Sequence, residues 1–246
     1  MTTKIFIPVL AITLSALHAS AQVKLNDVVN TVTHGSTTNS NLGKGLSNDK
    51  IIEGLKEALS VGSKNAGASA SKLDGFYKNP LIKIPFPKEV KDVEKMARQF
   101  GMSKQADKFI QSLNRAAEDA AKKAAPVFLD AITHMTINDG LTILQRGDNA
   151  ATGYLKNSTT PKLTTEFSPI VKQSLSKTHV TQYWNDVAKV YNKVPFAKKM
   201  NPKLEEYVTQ KAIEGLFILV GQEEAKIRKD PAAQVTNILQ QVFGGR

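Results

Sequence analysis

The chain contains no cysteine. It can therefore form no disulfide, and it can carry neither a cysteine-linked lipid anchor nor a thiolate-based zinc site or nucleophile. Its stability must come from packing.

Motifs of common catalytic chemistry are also missing. HExxH, GxSxG, Walker A and GxGxxG do not occur, and the histidines are few and scattered. We therefore expect no metal and no cofactor, and we favour a non-catalytic protein over an enzyme.

Long apolar runs are scarce, and the clearest one lies at the beginning of the chain. Lys4, the apolar residues 5–17 and the A-S-A of residues 19–21 have the order of a secretory signal peptide. The run is too short to cross a bilayer core of roughly 30 Å, and Pro8 interrupts it. We expect cleavage after Ala21 and export to the periplasm. No later segment is apolar enough to span a membrane.

Basic residues outnumber acidic ones, 33 Lys and Arg against 22 Asp and Glu, which gives a net charge of +11. The excess suggests an anionic partner. Nucleic acid is disfavoured because the basic residues are dispersed, in pairs such as Lys122-Lys123 and Lys198-Lys199, without interleaved aromatic side chains. An anionic envelope surface is the partner that we expect.

Three regions differ in composition. Residues 1–21 form the predicted signal peptide, and residues 22–47, rich in Ser, Thr, Asn and Gly, are typical of a flexible arm. Apolar residues recur at helical spacing over residues 48–243, without a fixed-period repeat. The pattern predicts an all-α single domain of roughly eight to ten helices.

The most apolar helical pattern lies near the C terminus, over residues 204–228. It is apolar all round at residues 216–220, so we expect it to be buried as a central helix with the others packed around it. Glu224 and Arg228 have the spacing of a surface ion pair. The apolar face consists of Leu204, Val208, Ala212, Leu216 and Leu219.

Prolines punctuate the segment around residues 79–86. They favour extended backbone, which predicts a strap laid across the helices. The alternation of Ile82, Ile84 and Phe86 with other residues leaves a short edge strand as the alternative. The predicted anchors of the strap are Phe76, Leu81, Ile82, Ile84 and Phe86.

Local signals place several helix ends. Thr136 with Asp139 resembles a capping box. Thr160-Pro161 has the N-cap and N1 pattern of a helix start. We expect Phe100 to point inward from the last turn of a helix.

One constellation of polar residues could carry chemistry. Asn114, Arg115 and Glu118 share one predicted helix, and Asp130 and His134 lie four residues apart on the next. In an enzyme, Asp130 would orient His134 as a base while Arg115 binds an anionic group. We favour the alternative, an internal ion-pair network.

Two polar residues accompany the apolar face of the central helix. Tyr207 and Lys211 are candidate binding residues, although a lysine there usually extends to solvent. On the earlier helix, Glu118 and Lys122 have the spacing of a surface pair.

Several blocks of the sequence resemble the bacterial envelope proteins of the domain of unknown function 4197 family. The resemblance implies an exported, mostly helical single domain and brings no activity. Leu155 stands where relatives tend to carry an aromatic residue. The blocks are DGFYKNPLIKIPFP, SLNRAAEDAAKKAAPVF, ILQRGDNAATGYL, FSPIV and YVTQKAIEGLFILVGQEEAKIRKDP.

Three hypotheses follow. The preferred one is a non-catalytic binding protein that holds a lipid-like or amphipathic envelope molecule in an apolar cavity beside the central helix. The alternative is a structural or interaction protein of the envelope with the strap or arm as its contact surface. The third is an enzyme that uses Asp130, His134 and Arg115.

Overall fold

The fold is described by a computed structural model. The predicted signal peptide, the predicted arm up to residue 46 and most of the chain after residue 229 lie outside the described part, so their structures stay predictions. The structure describes residues 47–181, 184–185, 192–193, 199, 203–229, 236–237 and 240.

The described residues form helices and connecting segments, and they contain no strand. The all-α prediction is confirmed, whereas the count of eight to ten helices concerns the whole chain and stays a prediction. A 3-10 turn at Lys88–Val90 precedes the second helix. The α-helices are α1 Asn48–Ser71, α2 Lys91–Gln99, α3 Ser103–Ala121, α4 Ala124–Thr133, α5 Ile137–Arg146, α6 Ala150–Ser176 and α7 Leu204–Lys229.

Helix α7 occupies the centre, where it packs against α1, α3 and α6. All five residues of its predicted apolar face are buried. The expectation of burial all round was wrong at Ile218, whose exposed fraction is 44%. One edge of α7 therefore stays open to solvent.

Helix α6 runs through both of its prolines, Pro161 and Pro169, so the predicted helix start at Thr160-Pro161 was wrong. A buried stripe joins the two halves of the helix and packs on α3 and α7. Burying each large apolar side chain contributes about 1.5–3 kcal/mol, which together exceeds the cost of about 3 kcal/mol per proline. The stripe consists of Leu155, Thr159, Leu163, Phe167, Val171 and Leu175.

Other helix ends show what local signals can predict. The capping box is confirmed, because the Thr136 side chain accepts from the Asp139 amide and the Asp139 carboxylate accepts from the Thr136 amide. The inward orientation of Phe100 was wrong. Helix α2 ends at Gln99, and the ring is 77% exposed in the turn that follows.

The segment between α1 and α2, the predicted strap, forms no edge strand, but the extended backbone predicted for it was wrong at residues 80–82, which form turns. A turn closes where the Lys83 amide donates to the Asn79 carbonyl oxygen (2.9 Å), and irregular backbone follows. Leu81 was wrongly predicted as an anchor: it is 60% exposed because it lies within this turn, where its amide donates to the Asn79 side chain. The buried anchors are Phe76, Ile82, Ile84 and Phe86.

The strap touches α7 at Gly215. A Cβ atom there would lie 2.8 Å from Phe76 Cε1 and 3.0 Å from Ile82 Cβ, closer than packed carbon atoms approach. We expect Gly215→Ala to lower the free energy of unfolding by about 1–3 kcal/mol in urea titrations, because the strap must shift. Gly221→Ala on the same helix is the control. Its Cβ would meet ordinary contacts at 3.5 Å or more, so equal losses in both variants would contradict the close approach.

Candidate functional site

Asn114 on α3 holds the backbone of the strap. Its side-chain oxygen accepts from the Ile84 amide (2.8 Å), and its NH2 group donates to the Ile84 carbonyl oxygen (2.9 Å) and to Ile110 O (2.7 Å). The side chain is fully buried. The Asn114 side chain therefore satisfies both the amide and the carbonyl of Ile84, as a neighbouring strand would in a sheet.

Glu118, one turn further along α3, holds the other end of the same segment. One carboxylate oxygen accepts from the amides of Phe76 and Tyr77, each at 3.1 Å. The predicted surface pair of Glu118 with Lys122 was wrong, because Glu118 is buried and Lys122 pairs with Asp119. The amides of Phe76 and Tyr77 lie beyond the end of α1 and need an acceptor, which the Glu118 carboxylate supplies.

Arg115 completes the group. It donates to Glu118 (2.6 Å) and to Asp74 (2.5 Å). Hydrogen bonds from Lys78 and from Arg115 lower the pKa of Asp74. Asn114, Arg115 and Glu118 are thus engaged with the segment before α2, and a role for them in ligand binding stays a prediction.

Asp130 and His134 lie elsewhere, in solvent-exposed positions near the end of α4. Asp130 pairs with Lys162 (2.9 Å), and this hydrogen bond lowers its pKa. His134 Nδ1 lies 2.8 Å from the Asp130 carbonyl oxygen, and the side chain is 78% exposed. Neither residue shares a hydrogen bond or ion pair with Arg115. The catalytic cluster of Asp130, His134 and Arg115 in the enzyme hypothesis does not assemble.

An open groove of about 430 Å³ lies between the strap and the exposed edge of α7. We call it the strap groove. Leu81 from the strap and Ile218 from α7 line it as exposed aliphatic side chains, 60% and 44% exposed. Both candidate residues of α7, Tyr207 and Lys211, also line it.

Several polar residues of the strap groove have defined partners. The Tyr207 hydroxyl donates to the Pro85 carbonyl oxygen (3.1 Å), and burial raises its pKa to about 12, so it stays protonated at neutral pH. Lys211 pairs with Glu214 (2.5 Å). Burial alone would raise the pKa of Glu214, but hydrogen bonds from Lys211 and Gln210 lower it. Lys88 has no ion pair within the described residues.

A buried ion pair was missed by the sequence analysis. Glu224 and Arg228 were predicted on the surface, yet their side chains are only 5% and 3% exposed. Glu224 also accepts from the amides of Ala151 (3.2 Å) and Thr152 (2.8 Å) at the start of α6. The N-cap residue of α6, Asn149, makes no side-chain cap, so a carboxylate from α7 caps the helix instead.

A small cavity lies beside this ion pair, between α1 and α7. Its volume is about 20 Å³, enough for a single water molecule and too small for an acyl chain. Ser63 Oγ and Arg228 Nη1 line it and have no protein hydrogen-bond partner. The lipid-sized apolar cavity predicted beside the central helix is therefore not found at this position.

A family model described as "Protein of unknown function (DUF4197)" matches residues 45–244, which includes every helix from α1 to α7. The chain belongs to the DUF4197 family. No curated protein and no solved structure shows significant similarity to it. The family description assigns no activity, so function has to be argued from the site.

Two further observations bear on the DUF4197 chain. Leu155 is fully buried in α6 and lines neither the strap groove nor the small cavity. Over the described residues, no helix has the length and apolar character needed to cross a membrane, and no three His, Asp or Glu side chains are grouped to hold a metal ion.

Proposed function

We propose that this DUF4197 protein is a non-catalytic binding protein that holds an anionic amphiphile, a lipid-like molecule of the cell envelope, in the strap groove. The supporting observation is the combination of exposed aliphatic side chains and lysines along one groove beside α7. Its volume of about 430 Å³ lies in the usual range of small-molecule sites.

The apolar part of the groove provides the affinity for a chain. Leu81 and Ile218 are exposed in a concave surface, where an acyl chain could cover both. Covering a part-exposed aliphatic side chain contributes on the order of 1–2 kcal/mol. Two such contacts would hold a single-chain amphiphile in the groove, although the groove is open to solvent.

The charged part of the groove favours an acidic headgroup. Lys83, Lys88 and Lys211 line it, together with two glutamates, Glu89 and Glu214. Lys211 is neutralised by Glu214, whereas Lys88 is free of acidic partners within the described residues. The chain as a whole carries a net charge of +11, which adds long-range attraction for anions.

The sequence indicates the compartment in which the protein would meet its ligand. Residues 1–21 have the pattern of a cleaved secretory signal peptide, and cysteine is absent, so we propose export to the periplasm without a lipid anchor. In that compartment acidic lipids and their single-chain derivatives are available ligands.

Serine at both aliphatic positions, Leu81→Ser with Ile218→Ser, should weaken binding by about tenfold or more, because two apolar contacts are lost. The probe is lysophosphatidylglycerol below its micelle concentration, measured by isothermal titration calorimetry. Ile137→Ser, at an exposed isoleucine of α5 that does not line the groove, is the matched control.

The headgroup is tested separately with Lys88→Glu. This variant should lose affinity for lysophosphatidylglycerol while its weaker binding of zwitterionic lysophosphatidylcholine is unchanged. Lys172→Glu, at an exposed position of α6, controls for net charge. Failure of the wild-type protein to bind either probe would refute the proposal and favour the alternative, an interaction protein of the envelope that uses the strap as a contact surface.

A further inference from the structure

The turn between α2 and α3 carries two neighbouring exposed apolar side chains. Phe100 is 77% exposed and Met102 is 47% exposed. Gly101 between them has φ +79°, and a Cβ atom there would have no neighbour within 4 Å. We call residues 100–102 the tip. Its two apolar side chains are exposed at the end of a helical hairpin.

Around the tip the acidic side chains are paired, whereas the lysines are not, within the described residues. Its two acidic neighbours, Glu94 and Asp107, both bind Arg98, at 2.9 Å and 2.8 Å. One guanidinium group thus pairs with both carboxylates and balances half of their charge. The exposed lysines around the tip have no acidic partner among the described residues, and they are Lys95, Lys104 and Lys108.

We propose that the tip docks on the surface of an anionic lipid bilayer, with Phe100 and Met102 in the interfacial region and the three lysines among the headgroups. Aromatic and aliphatic side chains flanked by lysines are the composition of segments that lie in a membrane interface. Lysines near an acidic leaflet add attraction that falls off within a Debye length.

A bilayer fits the tip better than a protein partner does. A stable protein interface needs about 800 Å² on each side, with a matched shape and paired polar groups. The tip offers two projecting side chains and dispersed positive charge, which a fluid lipid surface can accept without a complementary shape. The tip also belongs to a peripheral hairpin, since α2 packs mainly on α3 and the preceding 3-10 turn.

The tip and the strap groove are joined by one short helix. Lys88 and Glu89 line the groove, and α2 begins two residues later and has nine residues, a length of about 14 Å. Docking of the tip would thus bring the groove near a lipid surface. The docking itself does not depend on ligand binding in the groove.

Flotation with vesicles tests the proposal. The purified protein should float with equimolar phosphatidylglycerol and phosphatidylcholine vesicles and much less with pure phosphatidylcholine vesicles. Phe100→Ser with Met102→Ser should lower the partition coefficient by about tenfold or more. Because both side chains are exposed, the melting temperature of this variant should equal that of the wild type.

The lysines are tested by the combined variant Lys95→Gln, Lys104→Gln and Lys108→Gln. It should lose most of the dependence of vesicle binding on phosphatidylglycerol and on salt. The proposal is overturned if wild-type protein does not float with anionic vesicles. It is equally overturned if the Phe100→Ser with Met102→Ser variant floats as the wild type does.

Cross-controls separate this inference from the groove. The Leu81→Ser with Ile218→Ser variant should float normally, and the Phe100→Ser with Met102→Ser variant should bind lysophosphatidylglycerol normally. If the groove variant loses flotation while the Phe100→Ser with Met102→Ser variant retains it, vesicle binding passes through the groove and the tip is not the docking surface. If the wild-type protein floats with anionic vesicles but does not bind lysophosphatidylglycerol, the groove proposal is refuted and the tip proposal is supported.

Discussion

Glu224→Ala is expected to lower the free energy of unfolding by about 3–5 kcal/mol, the usual cost of removing one partner of a buried ion pair. Arg228 donates to Glu224 through Nε (3.0 Å) and Nη2 (2.9 Å), and its side chain is 3% exposed. Without the carboxylate, a buried guanidinium group loses its charge partner, and its Nη1 has no protein hydrogen bond to begin with.

The Glu224→Ala variant also loses the cap at the start of α6. Glu224 accepts from the amides of Ala151 and Thr152 and from the Thr152 hydroxyl (2.6 Å), so it caps α6 from another helix. Removing an N-cap costs about 0.5–2 kcal/mol. We therefore expect hydrogen exchange to accelerate first at the start of α6.

Urea titrations of three variants test this reasoning. Glu223→Ala, the neighbouring position, removes an ion pair with Lys226, whose side chain is 60% exposed, and a hydrogen bond from Asn65 (3.0 Å), and should cost about 1–2 kcal/mol. Glu224→Leu with Arg228→Leu should recover part of the loss, because no charge is left buried. A Glu224→Ala protein as stable as Glu223→Ala would contradict the role of the ion pair.

Asn114→Leu is expected to cost about 2–5 kcal/mol. The substitution keeps a similar volume, but it leaves the buried amide and carbonyl of Ile84 without partners, and each orphaned group costs about 1–3 kcal/mol. Since the strap forms one wall of the strap groove, binding of lysophosphatidylglycerol should weaken as well.

Hydrogen exchange at the Ile84 amide reports the effect locally. It should become faster in Asn114→Leu than global unfolding alone explains. Gln111→Leu on the exposed face of α3 is the control and should change stability by no more than about 0.5 kcal/mol. Unchanged protection of Ile84 would show that the strap is held by its apolar anchors alone.

Features that depend on neighbouring residues could be predicted from the sequence. The capping box of Thr136 and Asp139 needs only a spacing of three residues, and it forms as predicted. The apolar face of α7 follows from helical periodicity, because a stripe of that kind must be buried against other helices. The absence of catalytic motifs could likewise be established without coordinates.

Features that depend on distant residues could not be predicted. Pro161 has the local pattern of a helix start, yet the packing of α6 on two other helices keeps the helix continuous. Leu81 is apolar and adjoins the buried anchor Ile82, but a turn leaves it exposed in the groove. In the strap groove, the sequence indicated Tyr207 and Lys211 as candidate binding residues. It did not indicate that Leu81 and Ile218 are exposed there.

By itself, the amino-acid sequence determined the helical class, the family and the expectation of export, since composition and short-range spacing contain that information. Tertiary structure alone decided which polar groups are buried. Glu224 meets Ala151 across 73 positions of the chain, and Asn114 meets Ile84 across 30. The physical reason is that spacing places a side chain on a face of its own helix, whereas burial depends on what distant segments lay over that face.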